Sequence, residues 1–533
     1  MKKKILLLLF SISFLFCNNI FAQSNIDVLH YRYVLELNDN CDTLKGMAVI
    51  SFVQYSDKQT ASFDLTCINR QGKGMRVTLV SIGTYEIPFT HSADKLTIDL
   101  PKNKKGDTIK VWITYKGIPS DGLIISKNKY GQRTFFADNW PDRAHNWIPC
   151  ADVLTDKASF EFLVTAPSHY KVISNGILVE EKTIPGNNKL THWKEDTPLP
   201  TKVMVIGVAD FAVKRYADSP PDIPVTAWIF AKDSIDGFRD YDPAPNILKT
   251  FINYIGPYPY KKLANVQSKT IFGGMENASA IFYSESSVTG NHDDESLLAH
   301  EIAHQWFGDM VTEKNFAHIW LSEGFASYFA HLYTESRHGT ESLKVEMQKD
   351  RDKIIDFARI SDNPVIDTIS PIKKLLNVNS YEKGSWILHM LRQQLGDTVF
   401  QKIIRSYYDS YKGKNADTKD LQAVAEKISG KKLDYFFRQW LYSPGFPRLI
   451  ISWSYNSAEK KLLISVEQKQ NRDPFIFPLD ILIVTGPGKS WTETLQVNKK
   501  KETFTFSLNN KPQEIIADPH TSLLFEGHVK EQN

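Results

Sequence analysis

His300 and His304 stand four residues apart with Glu301 between them, in the run Ala299-His300-Glu301-Ile302-Ala303-His304-Gln305-Trp306. On a helix, residues i and i+4 lie on one face, so both imidazoles can reach a single metal ion while the glutamate projects beside it. Further on, eighteen residues separate His304 from Glu323, which sits in Trp320-Leu321-Ser322-Glu323-Gly324. Two imidazoles and one carboxylate suit zinc, and three protein ligands leave the fourth tetrahedral position open for water. An open position is the mark of a catalytic rather than a structural site. The spacing therefore predicts metal-assisted hydrolysis at one zinc per chain.

Elements of two kinds must carry these residues. From about Asn25 to Phe211 the pattern has period two: Ile109, Val111, Ile113 and Tyr115 alternate with Lys110, Trp112, Thr114 and Lys116. Ala48-Ile50-Phe52 and Phe160-Phe162-Val164 repeat it, and Asn175-Gly176 and Gly186-Asn187 read as turns. This predicts a β-rich amino-terminal domain, with Ser219-Pro220-Pro221 at its end. Helical spacing takes over beyond that point. Asn246 to Tyr254 and Leu297 to Met310 read as helices, as do the stretches through Leu388, Leu391 and Leu395 and through Phe400, Ile403, Ile404 and Tyr407. Val266 to Asn277 reads as a strand that ends in a glycine turn. After Trp440-Leu441-Tyr442-Ser443-Pro444-Gly445 the alternation returns in Leu449-Ile451-Trp453, Leu462-Ile464-Val466 and Leu479-Ile481-Ile483, as expected of a small β-sandwich. The fold class is thus a multidomain α+β chain. Residues 1–22 are an export signal, 23–218 an amino-terminal β domain, 219–445 a mostly helical catalytic domain, and 446–533 a carboxy-terminal β-sandwich.

The export signal is read from Met1-Lys2-Lys3-Lys4, the short apolar run Ile5 to Phe16, and Ala22 before polar Gln23. It predicts a mature protein that begins at Gln23 in the periplasm or outside the cell. The run is short for a membrane span and no other stretch approaches the needed length, so no integral membrane span is expected. Removal of residues 1–22 takes away Lys2, Lys3 and Lys4 and no acid, leaving 61 basic against 61 acidic residues. A neutral chain lacks the net basic surface that nucleic acid requires, and no nucleic-acid partner is expected. Cys41, Cys67 and Cys150 remain, an odd number that permits at most one disulfide, Cys41 with Cys67 being one pairing to consider.

Several motifs coincide with the metal signature: Gly273-Gly274-Met275-Glu276-Asn277, Tyr381-Glu382-Lys383-Gly384, Trp147-Ile148-Pro149-Cys150-Ala151-Asp152, and Phe437-x-x-Trp440-Leu441 with Gly445-x-Pro447. Together they resemble the gluzincin zinc aminopeptidases, the family of aminopeptidase N and leukotriene hydrolase, over nearly the whole mature chain. The resemblance implies a saddle-like β domain, a thermolysin-like catalytic domain and here a carboxy-terminal β-sandwich. It makes His300, His304 and Glu323 the zinc ligands and Glu301 the general base. It makes Tyr381 the donor to the oxyanion and Glu276 the carboxylate that receives the free α-amine of a peptide. Gly273, Gly274, Met275 and Asn277 complete the substrate-binding segment, and Asp138, in Phe136-Ala137-Asp138-Asn139-Trp140, stands where relatives place a second amine contact. Where relatives often carry an acid before the Trp-Leu-x-Glu-Gly segment, this chain has Ala317-His318, so selectivity for basic amino-terminal residues is not implied.

Peptides with a free amino terminus are therefore the expected partners. A thermolysin-like endopeptidase would share the zinc centre but need no amine anchor, and Glu276 argues against it. An epoxide hydrolase, known on one branch of the family, is a further alternative. A non-catalytic peptide-binding protein is expected to lose Glu301 or Tyr381, and both are present.

Overall fold

The computed structural model describes residues 25–532; the export signal expected over residues 1–22 lies outside them. Among the described residues the amino-terminal region is built on an eight-stranded sheet. Its strand Ile26–Glu36 pairs antiparallel with Leu44–Gln54 and parallel with Ala158–Pro167. The period-two pattern has its expected consequence: Ala48, Ile50 and Phe52 are buried along one strand, and Ile109, Val111, Ile113 and Tyr115 along its neighbour Thr108–Ile118. Smaller sheets of four and three strands complete the region.

The second region begins earlier than its sequence marker. Strand Phe211–Arg215 pairs with Val225–Phe230, which continues in parallel to Leu263–Ser268 and Ala280–Ser284, with Gly274–Met275 at the edge. Ser219-Pro220-Pro221 therefore lies in the connection between two strands of this sheet, and the change of region falls near residue 210 rather than 218. A proline-rich turn looks the same locally whether it links two strands or two domains.

Helix Glu295–His304 leads to Trp320–His338, then Thr340–Phe357, Gly384–Leu395 and Asp397–Tyr411. The first of these stops at His304 instead of running to Met310. Gly308 adopts φ +128°, and its hydrogen-bonded turn with Val311 reverses the chain. Phe307 in that turn packs against Phe325 with ring centroids 4.5 Å apart, and against Phe329 and Tyr407, which joins the two helices through an aromatic core.

From Arg448 onward the chain forms two sheets, of four and three strands. Arg351 anchors this carboxy-terminal region: its Nη2 donates to Asp518 Oδ2 at 2.6 Å and to Leu523 O at 2.8 Å, between the rings of Trp386 and Phe525. The α+β architecture of three regions is the one expected. Cys41, Cys67 and Cys150 are free thiols, so Cys41 and Cys67 are not bridged. No helix of the described residues is long and apolar enough to cross a membrane.

Candidate metal centre and active-site cleft

Helices Glu295–His304 and Trp320–His338 bring three donor atoms together. His300 Nε2 and His304 Nε2 are 3.1 Å apart, and Glu323 Oε2 lies 3.4 Å from the first and 3.3 Å from the second. Ligands about 2.0–2.2 Å from a tetrahedral zinc are separated by about 3.3–3.6 Å, so this near-equilateral triangle is close to the size zinc requires. His304 Nδ1 faces Phe307 O at 3.1 Å and Ser322 Oγ at 3.0 Å, which turns Nε2 toward the triangle. Gly308 makes this possible, because a Cβ there would lie 2.4 Å from Ser322 Oγ and 3.0 Å from His304 Nδ1.

Charge also fits. Burial pushes the Glu323 carboxyl up, but His304 and His300 outweigh it and hold it well below the usual range. Burial pushes His304 down, yet Glu323, Glu276 and Glu301 raise it to about 10. Two imidazoles facing the ionised Glu323 carboxylate, with Glu276 and Glu301 close by, form a donor set that suits a divalent cation.

The triangle opens into a cavity of about 400 Å³. Glu301, 5% exposed, faces it from the first ligand helix, pressed against the backbone of Gly274, where a Cβ would lie 2.3 Å from Glu301 Oε1. Burial raises the Glu301 carboxyl well above the usual range, and Glu276 and Glu323 raise it further against His304. Glu276 lines the cavity beyond edge strand Gly274–Met275, and burial raises its pKa too. Gln305, the residue after the second ligand, fixes that segment: its Nε2 donates to Glu276 O at 2.7 Å and its Oε1 accepts from Ser279 N at 2.7 Å.

Tyr381 stacks on the His300 ring at 5.9 Å. Burial, with Glu323, Glu276 and Glu301 nearby, raises its phenol well above the ordinary value, so it stays protonated and able to donate. Its place depends on two glycines. Gly324, next to ligand Glu323, meets Gly384 of the Tyr-Glu-Lys-Gly run so closely that a Cβ on either would lie within 2.9 Å of the other's Cα. The close crossing sets Tyr381 beside the metal triangle.

Gly273, Gly274, Met275 and Glu276 line the cavity. Two residues expected beside substrate do not. Asn277 is completely buried, turned away from the cavity that Glu276 faces. Asp138 is 1% exposed and paired with Arg143, and its Oδ2 accepts from Thr270 Oγ1 and Ile271 N, both at 3.1 Å. Its short side chain is used up holding the segment that leads into Gly273, so it supports the cleft without lining it. Trp140, two residues on, does reach the cavity and packs edge-on against Phe272 and Phe316.

Sequence reading missed His331, Asp350 and Lys353 and gave Glu382 no role, and all four also line the cavity. One signal was available: Glu323, Ser327 and His331 follow at i, i+4 and i+8 on one helix face. Asp350 and Lys353 sit in a helix rich in charges on every side, where spacing singles out none.

The model of the peptidase M1 N-terminal domain matches residues 28–203, and that of the peptidase family M1 domain matches residues 240–440. A probable aminopeptidase 2 of Sulfurisphaera tokodaii is 27% identical over 470 residues, 84% of this chain and 57% of that protein. The alanine/arginine aminopeptidase of Saccharomyces cerevisiae is 26% identical over 515 residues, 90% of this chain and 59% of that protein. The chain thus spans less than two thirds of the length of these curated relatives. The crystal structure of Legionella pneumophila aminopeptidase A in complex with aspartic acid superposes with a TM-score of 0.80, at 15% identity, over 95% of this chain and 60% of that one, a likeness of fold. With its β region and its metal-site region matched separately by the two domains of one family, in the order that family has them, the chain belongs to peptidase family M1.

Proposed function

We propose that this chain is an exported zinc aminopeptidase that releases the amino-terminal residue of peptides. The observation that carries the reading is the placement of Glu301, Tyr381 and Glu276 around one cavity with the His300, His304 and Glu323 triangle. Zinc held by those three residues would supply Lewis acidity, polarising a carbonyl and acidifying water. Glu301, made more basic by burial, takes the proton of the attacking water and passes it to the departing amine. Tyr381 donates its O–H to the oxygen that gains charge as the carbonyl becomes tetrahedral. Glu276 receives the ammonium of the substrate, whose lost hydration a fixed carboxylate replaces. The edge of strand Gly274–Met275 lies beside it, where an extended peptide can add as a further strand.

Export rests on the lysine-led apolar run of residues 1–22. Mass spectrometry of the protein from its native host is expected to find Gln23 at the amino terminus, and an intact Met1 or a lipid on Cys17 would overturn it.

The function is tested with a panel of aminoacyl anilides, free and amino-acetylated, before and after chelation. Cleavage of the free forms alone, lost with a chelator and restored by zinc, is expected. Efficient internal cleavage of acetylated peptides would instead favour the endopeptidase reading, and full activity of metal-free protein would remove zinc from the account.

A further inference from the structure

The cavity has two ends, defined by the first ligand helix. At its carboxy-terminal end Gln305 holds the backbone of Glu276. At its amino-terminal end Glu295 Oε1 accepts from Tyr333 OH at 2.8 Å, which places the later half of Trp320–His338, with His331, beside the start of that helix. Residues 295 to 305 of a helix span about 15 Å, and the metal triangle, drawn from His300 and His304, lies toward the carboxy-terminal end. The segment from Glu276 back to Gly273 runs beside this helix from Gln305 to Leu297, so a peptide laid along it with its amine at Glu276 and its first carbonyl at the triangle carries its second residue toward His331, at about 3.3–3.6 Å per residue.

That end is walled by charges from three elements. His331 Nε2 pairs with Asp350 Oδ2 at 2.8 Å, Lys353 Nζ pairs with Glu382 Oε1 at 3.0 Å, and Lys353 stands 3.9 Å from Asp350. These charges differ in freedom. The side chains of Asp350 and Glu382 are 6% and 18% exposed, whereas Lys353 is 57% exposed on a flexible stem. The negative charges are fixed and the ammonium can swing out. An arriving cation can take its place on Glu382, while an arriving carboxylate meets two fixed carboxylates.

We propose that His331, Asp350, Lys353 and Glu382 select the second residue of the peptide, favouring a basic side chain over an acidic one, with Glu382 the principal contact. This rests on the aminopeptidase reading, which puts the substrate amine at Glu276. The test compares kcat/KM for alanyl-arginine amide and alanyl-glutamate amide on the zinc-loaded full chain, with alanine anilide as a substrate lacking a second side chain. The parent is expected to favour arginine by about threefold or more at low salt, the scale of a partly exposed ion pair. Glu382→Gln should lower the ratio and Lys353→Ala should raise it, each judged as a ratio within one variant so that a general loss of rate cancels. Cleavage of the anilide with no preference for arginine, or with a ratio that neither substitution moves, overturns this proposal alone. No cleavage of the anilide by the zinc-loaded parent overturns both it and the aminopeptidase reading.

Discussion

The two ends of the cleft are held in opposite ways. Around the metal triangle, Glu301 and Glu276 are buried carboxylates with no ion-pair partner among the described residues, and burial raises the pKa of both. At the far end each charge is paired, and Lys353 and Glu382 are open to solvent while Asp350 is buried against His331. A buried carboxylate without a partner is costly, and folded chains keep one where a proton or a cationic ligand is to be received. A paired, accessible charge such as Lys353 or Glu382 costs little, so it can tune preference without touching the chemistry. The supports differ as well. The amino-terminal β region braces the Glu276 end through Asp138 on Thr270 and Ile271 and through Asn175 Nδ2, which donates to Ala278 O at 2.6 Å. The carboxy-terminal region braces the other end through Arg351, one residue from Asp350.

If this contrast is right, substitutions at the metal end should act on rate and those at the far end on preference and stability. The largest effect is expected from Glu301→Gln, which removes the proposed base and should lower kcat by about 10²–10⁴ with one zinc still bound. Near-parent turnover by a zinc-loaded Glu301→Gln protein would break the contrast at its strongest point. Glu276→Ala comes next, with a loss of about 2–5 kcal/mol in kcat/KM on free-amine substrates and almost none on acetylated ones, read in parallel assays. Equal losses on both would mean that the carboxylate shapes the cleft and does not hold the amine. Tyr381→Phe should lower kcat by about a hundredfold or more while zinc content stays constant, and an unchanged kcat would move the oxyanion donor elsewhere.

Stability effects sharpen the other side. Arg351→Ala leaves Asp518 buried without its partner and should cost about 1–3 kcal/mol, seen as a lower midpoint in urea, while alanine anilide turnover at 25 °C is kept. An equal loss of anilide turnover would show that the carboxy-terminal region acts on the chemistry itself. The smallest effect concerns Lys383, on the turn between Tyr381 and Gly384. It is 1% exposed, its Nζ has no hydrogen-bond partner, and burial lowers its pKa to about 7. Its unfolded value is about 10.4, so below pH 7 both states are charged and folding bears the whole cost of burying the charge. Between pH 7 and about 10 the unfolded state binds the extra proton and stability rises with pH. Lys383→Met should therefore raise Tm by about 2–4 °C at pH 6, with the gain shrinking by pH 9. A gain independent of pH would show that packing, not charge, is responsible.

Much of the fold and the heart of the site were legible in the residues alone, because the signals are local. His300 and His304 share a helix face by arithmetic, and alternation along Leu44–Gln54 or Thr108–Ile118 sets which side is buried, whatever the rest of the chain does. Even the end of the first ligand helix had its mark in Gly308, although spacing carried the reading past it to Met310. What lay beyond reach depends on segments far apart in sequence. Gly324 and Gly384 are each unremarkable in their own helices, and only their contact places Tyr381 against His300. Asp138 has the chemistry of an amine contact, yet Arg143, Thr270 and Ile271 occupy it. His331, Asp350, Lys353 and Glu382 become one wall only after three elements pack together. Periodicity determines which face of an element is buried, whereas the partner that face meets is decided by tertiary packing, and a side chain's function follows from its partner.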